Sequence, residues 1–87
     1  MWTVYLLKHS ISNQYYIGKT NDLKRRLIEH NSGGQTSTIR KSGKWIVIYA
    51  EAYRSKQDAD ERERMLKHHG SSKRGLYKRI KRSMLDS

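Results

Sequence analysis

WTVYLLKHSISNQYYIGK, residues 2–19, is the stretch from which the fold of this chain is read. Residues 2–8, WTVYLLK, open with aromatic and β-branched side chains, and residues 14–19, QYYIGK, repeat that strand-favouring character. The intervening HSISN, residues 9–13, is turn-rich, so the pair predicts a β-hairpin with Tyr5 and Tyr16 on neighbouring strands.

Working outward, residues 21–31, NDLKRRLIEHN, offer Asn21 or Asp22 as an N-cap, carry Leu23 and Leu27 one turn apart and stop before Gly33-Gly34. A short amphipathic helix is expected there. Residues 33–44, rich in Gly, Ser, Thr and Lys, read as a basic loop, and WIVIYAEAY, residues 45–53, reads as the central strand. Ser55 and Asp58 resemble a capping box opening a helix over 56–69, with Ala59, Glu63 and Leu66 sharing one side. Gly70 is expected to end that helix, and Ser71-Ser72 to cap a last one in which Leu76, Ile80 and Met84 repeat every turn. The order strand, strand, helix, strand, helix, helix predicts an α/β fold, a small three-stranded, mainly antiparallel sheet flanked by helices, in one domain over 1–87.

Composition bounds the function. A chain of 87 residues buries only about 60% of its unfolded surface, so the core is small. Hydrophobic residues make up 34% and mean hydropathy is -0.99, yet the apolar residues cluster periodically, as in a folded domain. No apolar run approaches the roughly 20 residues of a membrane span, and the N-terminus has no basic start followed by a long apolar segment. A soluble, cytoplasmic protein with no membrane partner is expected. Absence of cysteine excludes disulfides and thiolate zinc sites.

With 19 Lys and Arg against 8 Asp and Glu, the net charge of +11 calls for an anionic partner. Nucleic acid leads, because neutralised phosphates release counterions; acidic proteins and acidic membrane surfaces share the charge argument. Lys24 and Arg25 on the first helix, Arg40, Lys41 and Lys44 in the loop, and Lys73, Arg74, Lys78, Arg79, Lys81 and Arg82 near the C-terminus are the candidate phosphate contacts.

Several side chains suit chemistry. Arg26 and His30 lie one turn apart, where a guanidinium beside an imidazole suits phosphate binding and proton handling, although a solvated charge and a dipole-capping histidine fit that spacing too. Glu63 points the same way as the small Ala59, and one carboxylate can suffice for Mg²⁺, yet it also suits a salt bridge. Tyr5 and Tyr16 could present phenols from adjacent strands, with Lys19 following Gly18 at the strand end. A phenol of pKa about 10 needs nearby cations or a metal to serve as a base.

Taken together, Thr3-Val4-Tyr5 and Tyr16-Ile17-Gly18, then Gly18-Lys19-Thr20 running into Leu23-Lys24-Arg25-Arg26-Leu27 and His30-Asn31, resemble the signature of the GIY-YIG nuclease family. The pattern continues with Tyr49 and Glu51, then Ala59, Glu63 and Leu66-Lys67. The resemblance covers residues 3–67, and the tail is similar to those of small bacterial stand-alone members. It implies an endonuclease using one divalent metal, Mg²⁺ or Mn²⁺, in DNA repair or recombination. In these terms Tyr5 is the general base, Tyr16 and Arg26 contact the phosphate, Glu63 holds the metal, His30 fills the position one turn beyond the arginine, and Lys19 matches repair-type members. Thr3 stands where the family name has Gly, and a downstream asparagine used by some members has no clear counterpart. DNA is expected ahead of RNA, with low sequence specificity, and a monomer unless both strands are cut. A non-catalytic nucleic-acid-binding module of the same fold is the alternative, and an interaction protein for acidic partners is a third reading.

Overall fold

The computed structural model describes residues 1–32 and 43–85. Strand β1, Trp2–His9, pairs antiparallel with β2, Tyr15–Thr20, and on its other side with β3, Trp45–Tyr53. The sheet order is β2-β1-β3, so β1 is the central strand and the expectation for residues 45–53 is corrected: β3 is an edge. The burial pattern gives the reason. Every side chain from Val4 to His9 is buried, as a strand covered on both faces requires, whereas β3 is nowhere fully buried.

The hairpin closes through His9, whose Nδ1 accepts the backbone N–H groups of Ile11 at 3.3 Å and Ser12 at 3.1 Å. Asn13 completes the turn at φ 60, a left-handed conformation that asparagine tolerates. Helix α1, Leu23–Asn31, starts where Asp22 accepts the Arg25 N–H at 3.1 Å. At its end the Asn31 amide donates to the Trp45 carbonyl at 3.1 Å and accepts the Trp45 N–H at 2.7 Å, as a strand backbone would.

Helix α2, Lys56–His68, is capped by the Ser55 hydroxyl, which accepts the N–H groups of Gln57 and Asp58 as the capping-box reading expects. Its C-terminus differs from expectation. His69 is extended and serves as the joint, and Gly70 is the first residue of α3, Gly70–Arg79, which has no side-chain cap. Ser71 and Ser72 therefore sit in the first turn, with the Ser72 N–H satisfied by the His69 carbonyl at 3.0 Å. The last helix also divides: Ile80 ends α3 and α4 covers Lys81–Leu85. The Leu76, Ile80, Met84 stripe survives the bend, with Leu76 buried and the others half-buried. The bend accompanies a bond from the buried Lys8 ammonium to the Met84 carbonyl at 2.8 Å, which caps the chain end on the central strand.

The two faces of the sheet have different tasks. Val4, Leu6 and Ile17 meet Ala59, Leu66 and Leu76 in the core beneath α2 and α3. The opposite face carries Tyr5 and Tyr16, with α1 above it. In β3 the register passes from Tyr49, opposite Leu6, to Val47, opposite Leu7, leaving Ile48 as an extra residue. This bulge turns Trp45 and Val47 to the tyrosine face and Tyr49, Glu51 and Tyr53 to the core face, although all are odd-numbered.

Candidate active site

Tyr5 and Tyr16 meet because β1 and β2 pair with Tyr5 opposite Gly18 and Leu7 opposite Tyr16, which sets both rings on one face. Their centroids are 6.2 Å apart. His30, the buried residue of α1, lies against both, 4.6 Å from the Tyr16 ring, with its Nε2 3.5 Å from the Tyr5 hydroxyl. Trp45 closes the group, packing against His9, Tyr16 and His30. Sequence reading missed Trp45: only its position at the start of β3 and the sheet register bring it here.

Arg26 lies one turn before His30. It donates to Glu29 at 2.9 Å, and its guanidinium also engages the Tyr5 and Tyr16 hydroxyls. Glu29, also bonded by Arg25 at 3.0 Å, was likewise missed, although its spacing from both arginines is that of helix ion pairs. Burial pushes the Tyr5 hydroxyl above the ordinary phenol value, and the opposing effect of Arg26 does not cancel it. The cation expected to favour the phenolate is present, but Tyr5 is held as a phenol.

Glu63 joins from α2. Its carboxylate lies 3.1 Å from the Lys67 ammonium and 3.9 Å from that of Lys19, and its negative charge acts on Tyr5. Lys67 also lies 6.0 Å above the Tyr16 ring, linking α2 to the tyrosine pair. Lys19 is paired chiefly with Asp60, whose carboxylate raises the ammonium above its ordinary value. The structure thus brings Tyr5, Tyr16, Arg26 and His30 into one cluster, with Glu63 and Lys19 at its margin. Ala50 and Ala52, opposite Tyr5 and Thr3, keep the neighbouring surface open.

The donor set tests the fit of a divalent ion. Among the described residues no group of three His, Cys, Asp or Glu could hold a metal, so Glu63 would act with water and substrate phosphate. That suits Mg²⁺ or Mn²⁺, which bind through one or two carboxylates and retain water, and it does not suit tetrahedral zinc. The Glu63 carboxylate, 21% exposed, is accessible, and a divalent ion binding there would compete with the Lys19 and Lys67 ammonium groups for it.

The basic residues are dispersed. Lys24, Arg25, Lys44 and Arg74 are exposed, and Lys73 faces a cleft beside Tyr16. Lys78, Arg79, Lys81 and Arg82 line a separate cleft at the α3–α4 bend. Arg40 and Lys41 lie outside the described residues. Among the described residues no helix is long and apolar enough to cross a membrane.

The description GIY-YIG catalytic domain matches residues 1–78. The chain belongs to the GIY-YIG family. It is similar to a UPF0213 protein of Streptococcus pneumoniae, 43% identical over 53 residues, covering 61% of this chain and 54% of that protein. It thus spans about half the length of that relative. A UPF0213 protein of Vibrio campbellii is 31% identical over 75 residues, covering 86% of this chain and 71% of its own. The solution NMR structure of a UPF0213 protein from Bacillus halodurans has a TM-score of 0.55 at 29% identity, covering 93% of this chain and 86% of that one. This GIY-YIG membership supports a nuclease role.

On the core face, Glu51 accepts the Tyr49 hydroxyl, the Tyr53 hydroxyl at 2.6 Å and the Arg62 Nε at 2.6 Å. Burial alone would raise this carboxyl, but the three donors together hold it below the usual carboxylate range. Burial, and then donation to Glu51, pushes the Tyr53 phenol up to about 12. The group fastens α2 to β3, fixing the helix that carries Glu63.

Because the folded carboxyl is depressed, its stabilisation is present above the unfolded pKa of about 4.3 and is lost as pH falls through the folded value. Glu51→Gln is therefore expected to lower the urea midpoint at pH 7, with the gap to wild type closing below the ordinary carboxylate range, where Glu51 is itself neutral. A gap that persists at low pH would reject this assignment.

Proposed function

We propose that the chain is a metal-dependent endonuclease that hydrolyses phosphodiester bonds, acting on DNA ahead of RNA with low sequence specificity, through one domain spanning 1–87. The observation that carries the reading is the convergence of Tyr5, Tyr16, Arg26 and His30 on one sheet face with Glu63 in electrostatic reach. The alternative reading of each residue alone, as core aromatic or solvated charge, does not account for their meeting.

Tyr5 accepts the proton of the attacking water as its own passes to His30 Nε2, 3.5 Å away. This route suits a tyrosine kept as a phenol by burial, and general-base assistance contributes about 10²- to 10⁴-fold. Arg26 and Tyr16 donate to the phosphate oxygens as charge develops. Glu63 would hold a divalent ion, which when bound supplies Lewis-acid stabilisation to a phosphate oxygen and the departing 3′ oxygen. Lys19 and Lys67 orient that carboxylate.

The test is incubation with labelled single-stranded, duplex and branched DNA and RNA, with Mg²⁺, with Mn²⁺ and with chelator. Cleavage only with metal is expected. Binding without cleavage on every substrate would favour the non-catalytic module, a reading to which the engagement of Glu63 by two lysines and of Arg26 by Glu29 lends support.

Phosphate contact should also show in salt. Log affinity for duplex DNA is expected to fall linearly with log salt, and each phosphate-contacting cation removed, such as Lys73 or Arg74, to reduce the slope by about 1. A slope unchanged by removing these cations would exclude them from the interface.

A further inference from the structure

Beside the tyrosine pair, at the outer edge of β2, a cleft of about 240 Å³ is lined by Tyr15, Tyr16, Ile17, Lys67, Lys73 and Tyr77. Tyr15 and Tyr16 leave the strand on opposite faces, so the cleft wraps the sheet edge and has the site at one end. Its far wall is a pair of tyrosines from β2 and α3, ring centroids 5.7 Å apart and inclined at 43°. Tyr15 is 39% exposed, and the nearby cations are Lys67 and Lys73. We propose that this cleft binds an unpaired nucleobase flanking the scissile phosphate, stacked on Tyr15 and Tyr77, with its phosphate on Lys67 or Lys73.

The proposal rests on the nuclease reading for the position of the scissile phosphate and names the substrate feature that the same site selects. Aromatic faces beside ammonium groups are the means by which proteins hold single strands, because every base offers a face and every nucleotide a charge. A base within a duplex has both faces covered by its neighbours, so only a splayed or single-stranded nucleotide can enter. Tyr16 and Lys67 belong to both the cleft and the site: Lys67 reaches Glu63 and the Tyr16 ring together. A strand whose phosphate lies at Tyr16 therefore brings its neighbouring nucleotide to the cleft mouth. The tilted pair could instead serve only to pin α3 to β2; that role would affect folding and not the choice between bases and no bases.

The experiment uses the full chain in chelator, so that no strand is cut, and fluorescence anisotropy at fixed salt. The probes are a short labelled single strand of mixed bases, the same strand with consecutive abasic positions, and the matching duplex, in deoxy and ribo forms. Wild type is expected to bind the base-bearing strand about tenfold more tightly than the abasic one. Tyr15→Ala should abolish that ratio while leaving abasic binding unchanged, and Tyr15→Phe should keep it. Should Tyr15→Ala lose its fold by circular dichroism, Tyr15→Leu, which keeps apolar bulk without a flat ring, replaces it. Equal binding of both strands by wild type, or a full ratio surviving in Tyr15→Ala or Tyr15→Leu, would overturn the proposal. Cleavage of the same strands by wild type with Mg²⁺ is read separately. No cutting with base-dependent binding intact removes the nuclease and leaves the subsite; cutting with equal binding does the reverse.

Discussion

Glu63→Gln is expected to lower metal-dependent cleavage by at least about 10³-fold, since Lewis-acid stabilisation is worth several kcal/mol and each 1.36 kcal/mol is a factor of ten. The substitution preserves shape and removes the charge on which a hard cation depends. Among the described residues no group of three His, Cys, Asp or Glu offers a substitute metal site. Stability should change by no more than about 1 kcal/mol, because both lysine partners and Glu63 itself are partly exposed. Binding in chelator should hold or tighten, because Lys19 and Lys67 lose a competing carboxylate. Cleavage rates across a Mg²⁺ titration, with anisotropy in chelator alongside, check this. A rate within tenfold of wild type would remove Glu63 from the metal site.

Gly18→Ala should be the most damaging conservative change near the site. Gly18 stands opposite Tyr5, and a Cβ there would lie 2.6 Å from Tyr5 Cζ and 2.8 Å from Tyr16 Cε1. Neither ring retreats easily, since Tyr5 is 1% exposed and Tyr16 is flanked by His30 and Trp45. Overpacking of this kind costs about 1–3 kcal/mol, and misplacing reacting groups by about an ångström costs roughly 10²-fold in rate. Gly75→Ala is the control: a Cβ at Gly75 meets nothing within 4 Å, so activity should be unchanged and helix stability slightly increased. Urea midpoints and cleavage rates for both variants decide the matter, and a Gly18→Ala protein with normal rates would show that the close approach is not needed.

Local signals in the sequence were enough for the hairpin, the caps at Asp22 and Ser55, and the apolar stripes, because each depends on residues within one turn or one strand. Tyr5, Tyr16, Arg26, His30 and Glu63 could be named from their spacing and family resemblance, but not their distances from one another. What was hidden depends on pairings between distant segments. The hydrophobicity of WIVIYAEAY suggested a central strand, yet VYLLKH is the segment covered on both sides, and only strand order shows it. Tyr49 and Glu51 could be named as part of the family pattern, but only the register shows that they face the core and that Glu51 fastens Arg62. Gly70 looked like a helix stop but needs no left-handed conformation, so an extended His69 could make the joint.

The extra residue at Ile48 is what lets the two ends of β3 share a parity in sequence and still face opposite ways. Losing Ile48 would place Tyr49 directly after Val47 and restore strict alternation, with Trp45 and Val47 still on the tyrosine face and Tyr49, Glu51 and Tyr53 still on the core face. A frame-preserving loss of that one codon would therefore leave the indole wall of His30 and Tyr16 and the Glu51 anchor of Arg62 in place, removing only the Ile48 side chain from the margin of the core and the local twist of the bulge.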